Sequence, residues 1–318
     1  MKRILVTGAS GLLGLNLALQ AASQFEVWGV LRNERLASHT GKPLPFHPLY
    51  VDLTRPGQVE HVLAVAQPDA VIHCAAMTEV DYCEAYPVEA HLINVQVPKL
   101  LGQATARLGI GLLHISTDAV FDGMYGDYIE SDPPNPLNIY GKSKLSGERV
   151  VSDENPDALI ARVNFYGWSW QGRRSLAEFF YQQLAAGTPI HGFTDLVFCP
   201  LLVNDLTEIL LRMLRLELRG LYHVVSAESQ TKYDFGQMLA RQFGFNEQLI
   251  TPSLYKTANL RAPRAPLLTL SSNKLAQALG ESLPGQVDAM QRFYQLACQG
   301  YPQTLQTVFV AANRTLAG

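Results

Sequence analysis

Tyr140-Gly-Lys-Ser-Lys144 sets a phenol and an ammonium four residues apart. On a helix the two share one face, a turn apart. An ammonium beside a phenol stabilises the phenolate and so lowers the tyrosine pKa. That suits Tyr140 to general acid/base work at a carbonyl or alcohol oxygen. Upstream, the apolar run before Ile115 closes with Ser116-Thr117-Asp118. Thr117 is placed to hydrogen-bond the reacting oxygen, with Ser116 as the alternative. Strand-end capping would also explain both hydroxyls.

The second chemical feature is Gly8-Ala-Ser-Gly11-Leu-Leu-Gly14. Gly8 permits a tight turn, Gly11 lets the backbone approach a pyrophosphate, and Gly14 lets a helix pack close to a sheet. The helix N-terminus then turns unpaired N–H groups toward the phosphates. Ser10, Leu12 and Leu13 lie in the same stretch and count with the glycines as dinucleotide contacts. Glycine turns after strands are common. This one gains weight by following the first strand and opening the first helix.

The choice of dinucleotide turns on the end of the second strand. An acidic residue there would take the ribose hydroxyls of NAD. The run instead ends Val30-Leu31-Arg32-Asn33, and Glu34 comes late. Arg32 can pair with a 2′-phosphate through its planar guanidinium. NADP is therefore the expected cofactor and NAD the alternative, a solvated surface charge being the plainer reading of Arg32. Asp52 and Leu53, after the third strand, are expected beside the adenine. A helix N-cap is the plainer reading of Asp52.

These groups need a frame. Apolar runs at 4–6, 26–31, 49–51, 70–74, 111–115 and 159–162 read as strands. Helical patterns at 12–22, 59–66, 88–108 and 140–151 alternate with them. That rhythm predicts an α/β fold, a doubly wound parallel sheet of the Rossmann kind with helices on both faces. After residue 164 the rhythm loosens around Gly172, Gly187, Pro189 and Pro200, before an amphipathic helix over 206–218 and a strand over 221–225. The expected division is a cofactor domain, 1–163, and a smaller C-terminal α/β substrate-binding cap, 164–318, with some segments returning to the first domain.

Composition bounds the function. The 318 residues are 47% apolar and 17% charged, with a net charge of -3. Such a chain builds a large core and excludes a mainly disordered protein. Near neutrality supplies no bulk field to draw nucleic acid or an acidic membrane. Cys74, Cys83, Cys199 and Cys298 are scattered without a CxxC pair. Neither a disulfide scaffold nor a zinc site is expected, and reduced thiols suit a cytoplasmic protein. Lys2-Arg3 before an apolar run imitates a secretion signal, but Thr7, Gly8, Ser10 and Gly11 interrupt it. No segment approaches the ~20 apolar residues that span a bilayer. His73 and His114 fall within strands and read as core.

Taken together, these segments resemble the extended short-chain dehydrogenase/reductase superfamily. Within it they look like the dTDP-4-dehydrorhamnose reductase group, which includes the methionine adenosyltransferase β-subunit. The likeness is carried by TGASGLLG at 7–14, PDAVIHCAAMTEVDYCE at 68–84, STDAVFDG at 116–123 and PLNIYGKSKLSGE at 136–148. It continues more weakly over 220–235 and 261–275. The resemblance implies an NAD(P)H-dependent reductase of a keto group on a nucleotide-linked deoxysugar. It assigns proton delivery to Tyr140, the nicotinamide ribose to Lys144 and the carbonyl to Thr117. It also places Ala75 and Ala76 along the cofactor cleft and Asn94 near the cofactor, where a buried helix polar group is the plainer reading.

Ser116 completes the cofactor set, and Asp118 and Asn164 the substrate set. Arg261, with Arg264, is expected at the substrate diphosphate because arginine pairs bidentately with phosphate oxygens. Arg173-Arg174 could grip a diphosphate or lie in a solvated loop. The expected partner is the nucleotide-sugar, with a homodimer as the candidate assembly. The superfamily's dehydratases carry Thr-Asp-Glu, and Ala119 after Asp118 removes that acid. An epimerase and a non-catalytic cofactor-binding regulatory subunit stay as alternatives. Three departures from the reductase group fall where substrate should sit. Ala119 replaces a tyrosine, Phe165 stands near a missing tryptophan with Trp168 slightly later, and Asp195-Leu-Val-Phe-Cys-Pro200 replaces Asp-Gln-x-Gly-x-Pro.

Overall fold

Seven strands form one sheet in the computed structural model, which describes residues 2–32, 36–37, 44–257 and 261–311. They are β1 (Arg3–Thr7), β2 (Glu26–Leu31), β3 (His47–Tyr50), β4 (Ala70–His73), β5 (Gly111–Thr117), β6 (Leu159–Val163) and β7 (Gly220–Val224). The order is β7-β6-β5-β4-β1-β2-β3, with every neighbouring pair parallel. The chain thus has the doubly wound fold. Its strand order reverses between β1 and β4, which opens a crevice at the carboxyl ends of those strands.

The helices that matter to the site are α1 (Leu12–Ala21), α2 (Gln58–Ala66), α3 (Val97–Leu108), α4 (Ile139–Glu154), α5 (Leu176–Ala185), α6 (Val203–Arg215) and α7 (Lys232–Phe243). Side chains of β1 alternate between two cores. Ile4 and Val6 join a layer with α1 and α6, and Leu5 joins the layer with α2 and α3. All three are 0% exposed. Burial on both faces is why these strands read as unbroken apolar runs.

Residues 88–108, expected as one helix, form three joined pieces. Pro87–His91 leads into a π-helical turn, Leu92–Gln96, and then α3. The wider turn aims Asn94 inward. Its Oδ1 accepts from the Met77 amide at 2.9 Å, and its Nδ2 donates to the Met77 carbonyl and to Ser143 Oγ, both at 3.0 Å. Gly147 of α4 makes room, since a Cβ there would lie 2.4 Å from the Asn94 carbonyl oxygen.

Part of the second half belongs to the sheet layer. Helix α6 packs on α1, and β7 adds beside β6 with Leu221 opposite Ile160. A buried polar chain ties this edge together. Arg162 donates from Nε and Nη2 to the two Glu148 oxygens at 2.9 and 2.8 Å. Its Nη1 lies 3.4 Å from His223 Nε2. The rest of the second half includes a small sheet of Val197–Phe198 with Gln230–Thr231 and Leu267–Leu268, and pairs of Ile190–Phe193 with Ile250–Ser253 and of Phe165–Tyr166 with Leu201–Leu202. A last helix, Tyr301–Val308, returns to α1, where the Tyr301 hydroxyl donates to Asn16 Oδ1 at 2.7 Å. Residues 312–318 lie outside the described residues.

Candidate active site

The glycine loop leaves β1 at Gly8, whose φ of 67° is in the left-handed region. A Cβ at Gly8 would stand 2.8 Å from the Ala75 backbone, and one at Gly14 would stand 2.2 Å from the Gly8 carbonyl oxygen. No larger residue fits either position without moving backbone. Helix α1 starts at Gly11 with no side-chain cap. Its first amides stay available to an anion.

Two cavities meet at this loop. The first, of about 420 Å³, is lined by Gly8, Ser10, Gly11, Arg32, Asp52, Leu53, Ala75 and Ala76. The second, of about 470 Å³, is lined by Gly11, Leu12, Leu13, Gly14, Ser116, Thr117, Asp118, Tyr140, Lys144 and Asn164. Joined end to end along the sheet edge, beside glycines that admit close backbone approach, they fit an elongated dinucleotide. Arg32 is exposed beside Asp52; Glu34 lies outside the described residues. Asp52 does not cap α2, whose N-cap is Gly57. It accepts instead from Thr54 N and Oγ1 at 3.0 and 2.6 Å. Burial would raise its pKa, but those bonds hold it below the usual carboxylate range.

The chemical end of the second cavity hangs on β5 and α4. Asn138 caps α4, its Oδ1 accepting from the Gly141 amide at 2.9 Å. Tyr140 therefore sits in the first turn and Lys144 in the second. Lys144 is 3% exposed, and its Nζ donates to the Ile115 carbonyl at 2.6 Å. Burial pulls its pKa down to about 8, against Glu148 and Cys74.

Tyr140 is not lowered as the spacing predicts. Desolvation in the crowded cleft raises the phenol above its usual range, opposed by the Thr117 hydroxyl and reinforced by Asp118. The Thr117 hydroxyl donates to Asp118 Oδ1 at 3.0 Å and accepts from the Ala119 amide at 3.2 Å. Thr117 is thus a strand-end cap and a cleft residue at once. Asp118 is buried, which raises its pKa; bonds from Asn164 and Thr117 oppose that rise. Asn164 Nδ2 donates to Asp118 Oδ2.

Ser116 donates to Glu148 Oε1 at 2.5 Å and is not free to replace Thr117. Beneath Lys144, the His73 and His114 rings stack at 5.4 Å, both fully buried. Burial drives His73 down to about 3, so it is a neutral core group.

The substrate side differs from expectation. A small cavity of about 100 Å³ opens beside Ala119, lined also by Phe121, Asn138, Asn164, Phe198, Lys232 and Arg264. Arg264 lines it while holding Asp81 at 3.0 Å. Arg261 is exposed and lines none of the three cavities. Lys232, which sequence reasoning missed, stands near Asp118 with its pKa lowered by burial and by Arg264. A lone lysine at a helix start carries no spacing signal. Trp168 faces away from the cleft, stacked on Phe293 at 4.2 Å with its Nε1 donating to the Phe293 carbonyl at 3.1 Å. Phe165 lines the second cavity, beside Tyr140.

The model of the RmlD substrate binding domain matches residues 1–298. The chain belongs to this family. A probable low-salt glycan biosynthesis reductase, Agl14, of Haloferax volcanii is 35% identical, the match covering 88% of this chain and 93% of that one. The dTDP-4-dehydrorhamnose reductase of Mycolicibacterium smegmatis is 33% identical over 87% of this chain and 80% of its own. The methionine adenosyltransferase 2 subunit beta of Danio rerio is 30% identical over 89% and 86%. A solved dTDP-4-dehydrorhamnose reductase of Bacillus anthracis, in complex with NADP, superimposes with a TM-score of 0.81 at 26% identity, covering 93% of this chain and 99% of that one. The chain is an NAD(P)-dependent oxidoreductase of the extended short-chain dehydrogenase/reductase type. Among the described residues, no helix is long and apolar enough to cross a membrane. No group of three or more His, Cys, Asp or Glu among them is placed to hold a metal.

Proposed function

We propose that the chain reduces a keto carbon on a nucleotide-linked sugar, with NADPH preferred to NADH. The observation that carries this reading is that Thr117, Tyr140 and Lys144 line one cavity continuous with the glycine loop. NADPH, when bound, supplies the hydride. Gly8, Gly11 and Gly14 with the α1 amides hold the pyrophosphate, Arg32 takes the 2′-phosphate, and Lys144 takes the nicotinamide ribose. Asp52, Leu53, Ala75 and Ala76 enclose the adenosine half. Tyr140, kept protonated by its raised pKa, gives its proton to the carbonyl oxygen as charge develops there. Thr117 orients that oxygen, and Asp118 with Asn164 fixes Thr117.

The substrate's sugar end lies against Asn164 and Phe165, and its diphosphate lies toward Arg264 rather than Arg261. Ala119 and Phe198 leave the nucleotide base open. The domain division is a cofactor domain, 1–163, and a substrate cap, 164–318, that lends α6 and β7 to the sheet layer. A homodimer and a cytoplasmic location belong to the same reading; a monomer in sedimentation removes the first.

A second reading, a cofactor-binding regulatory subunit, draws on the 30% identity to the methionine adenosyltransferase subunit. NADPH oxidation across keto-sugars carrying dTDP, UDP or GDP separates the two. Turnover with any of them supports the reductase. Tight NADPH binding with no turnover across the panel sinks it and leaves the regulator.

A further inference from the structure

The two large cavities share six lining residues: Gly11, Cys74, Ala76, Thr78, Glu79 and Arg174. Two of these are charged, and they pair with each other, Arg174 Nη1 lying 3.5 Å from Glu79 Oε1. The adenosine-side cavity holds Arg32 and Asp52, and the other holds Tyr140 and Lys144. A dinucleotide lying across both passes its pyrophosphate through the junction. Glu79 is the misfit there, an anion where two phosphate charges must go. Arg174 is the fit, yet its charge is turned to Glu79.

The strap that carries Arg174 is anchored at its root. Glu178, 0% exposed in the first turn of α5, accepts from Ser169 N at 2.6 Å, Arg174 N at 2.7 Å and Ser175 N at 3.2 Å. Trp170 Nε1 donates to the Ser10 carbonyl, inside the glycine loop, at 2.9 Å. The strap is thus tied through its backbone to Glu178 and through the Trp170 indole to the glycine loop. The paired side-chain ends are open to solvent, Arg174 43% and Glu79 71% exposed. An ion pair this exposed contributes little and exchanges easily. Arginine can grip a phosphate through two short charge-assisted bonds, whereas the Arg174–Glu79 contact is long, at 3.5 Å.

We propose that the Arg174–Glu79 pair is an exchangeable latch. The cofactor pyrophosphate displaces Glu79 and takes the Arg174 guanidinium, while the 167–175 backbone stays where Glu178 and the Trp170 indole hold it. The idea rests on the dinucleotide reading and adds to it a cofactor contact supplied by the second half of the chain, with a built-in competitor.

NADPH dissociation constants of the full chain, from fluorescence titration, test it. Arg174→Ala weakens NADPH by about tenfold or more. Glu79→Gln tightens it, and tightens it more with Arg174 present than in the Arg174→Ala background. Affinity for 2′-AMP, which has no pyrophosphate, is unchanged by Arg174→Ala. The latch is overturned if Arg174→Ala binds NADPH like wild type, if it loses 2′-AMP equally, or if Glu79→Gln weakens NADPH. Wild type that binds neither NADPH nor NADH overturns the dinucleotide reading along with the latch, which keeps the two failures apart.

Discussion

The two walls of the cleft are built differently. On the sheet side, Thr117 ends β5, and Tyr140 and Lys144 occupy the first two turns of α4, backed by the buried Glu148–Arg162 pair. On the facing side, Asn164, Phe198, Lys232 and Arg264 come from turns, two-residue strands and the start of α7. Proton transfer demands placement within a fraction of an ångström, which rigid elements supply. A bulky polar substrate can be gripped from loops, where side chains change without disturbing the core. The first wall should therefore govern rate and the second binding.

The largest expected break is Tyr140→Phe. Turnover falls by roughly 10²–10⁴-fold, while the NADPH dissociation constant stays within a few-fold. A retained rate would mean that the proton comes from elsewhere. Next is Gly14→Val, whose Cβ would meet the Gly8 carbonyl at 2.2 Å. NADPH binding is lost and the melting temperature drops, by titration and calorimetry; unchanged binding would refute the close approach. On the facing wall, Arg264→Ala raises the substrate KM by roughly tenfold with kcat nearly unchanged. A fall in kcat with KM intact would erase the contrast between the walls.

The smallest effect is in stability against pH. Lys144 is lowered from 10.5 to about 8. Between those values the unfolded chain holds a proton that the folded chain has released, so this group makes stability rise with pH. Below about 8 both states are charged and its full cost persists. Urea midpoints of wild type relative to Lys144→Met should climb from about pH 8 toward 10.5 and stay flat below. No climb would put the ammonium in water.

The sheet was legible because its strands are buried on both faces, so Ile4-Leu5-Val6 and Ala70–His73 read as apolar runs ended by turns. The glycine loop was legible because Gly8 and Gly14 are compelled by contacts within one short stretch and with Ala75. What failed to show was set by distant partners. Ser116 looks like a free hydroxyl until Glu148, 32 residues on, takes it. Lys144 looks poised to lower Tyr140 until burial of the phenol in the folded cleft raises it instead. Lys232 carries no periodicity, and only the folded chain brings it to a cavity; Arg173-Arg174 stood out as a pair, but its place at the cleft needed the fold. The π turn at Leu92–Gln96 hides inside a helical pattern because one inserted residue leaves the apolar rhythm nearly intact.

The strand β7 has a consequence for how the molecule is made. Ribosomal synthesis delivers Thr117, Tyr140 and Lys144 well before Gly220–Val224. Until that strand emerges, β6 is an open edge with unpaired backbone groups, and Arg162 lacks the His223 ring on its far side. The nascent chain then carries every reacting group and no finished sheet to hold them. Pairing of that bare edge with another chain's strand is the wrong assembly most open to it at that stage.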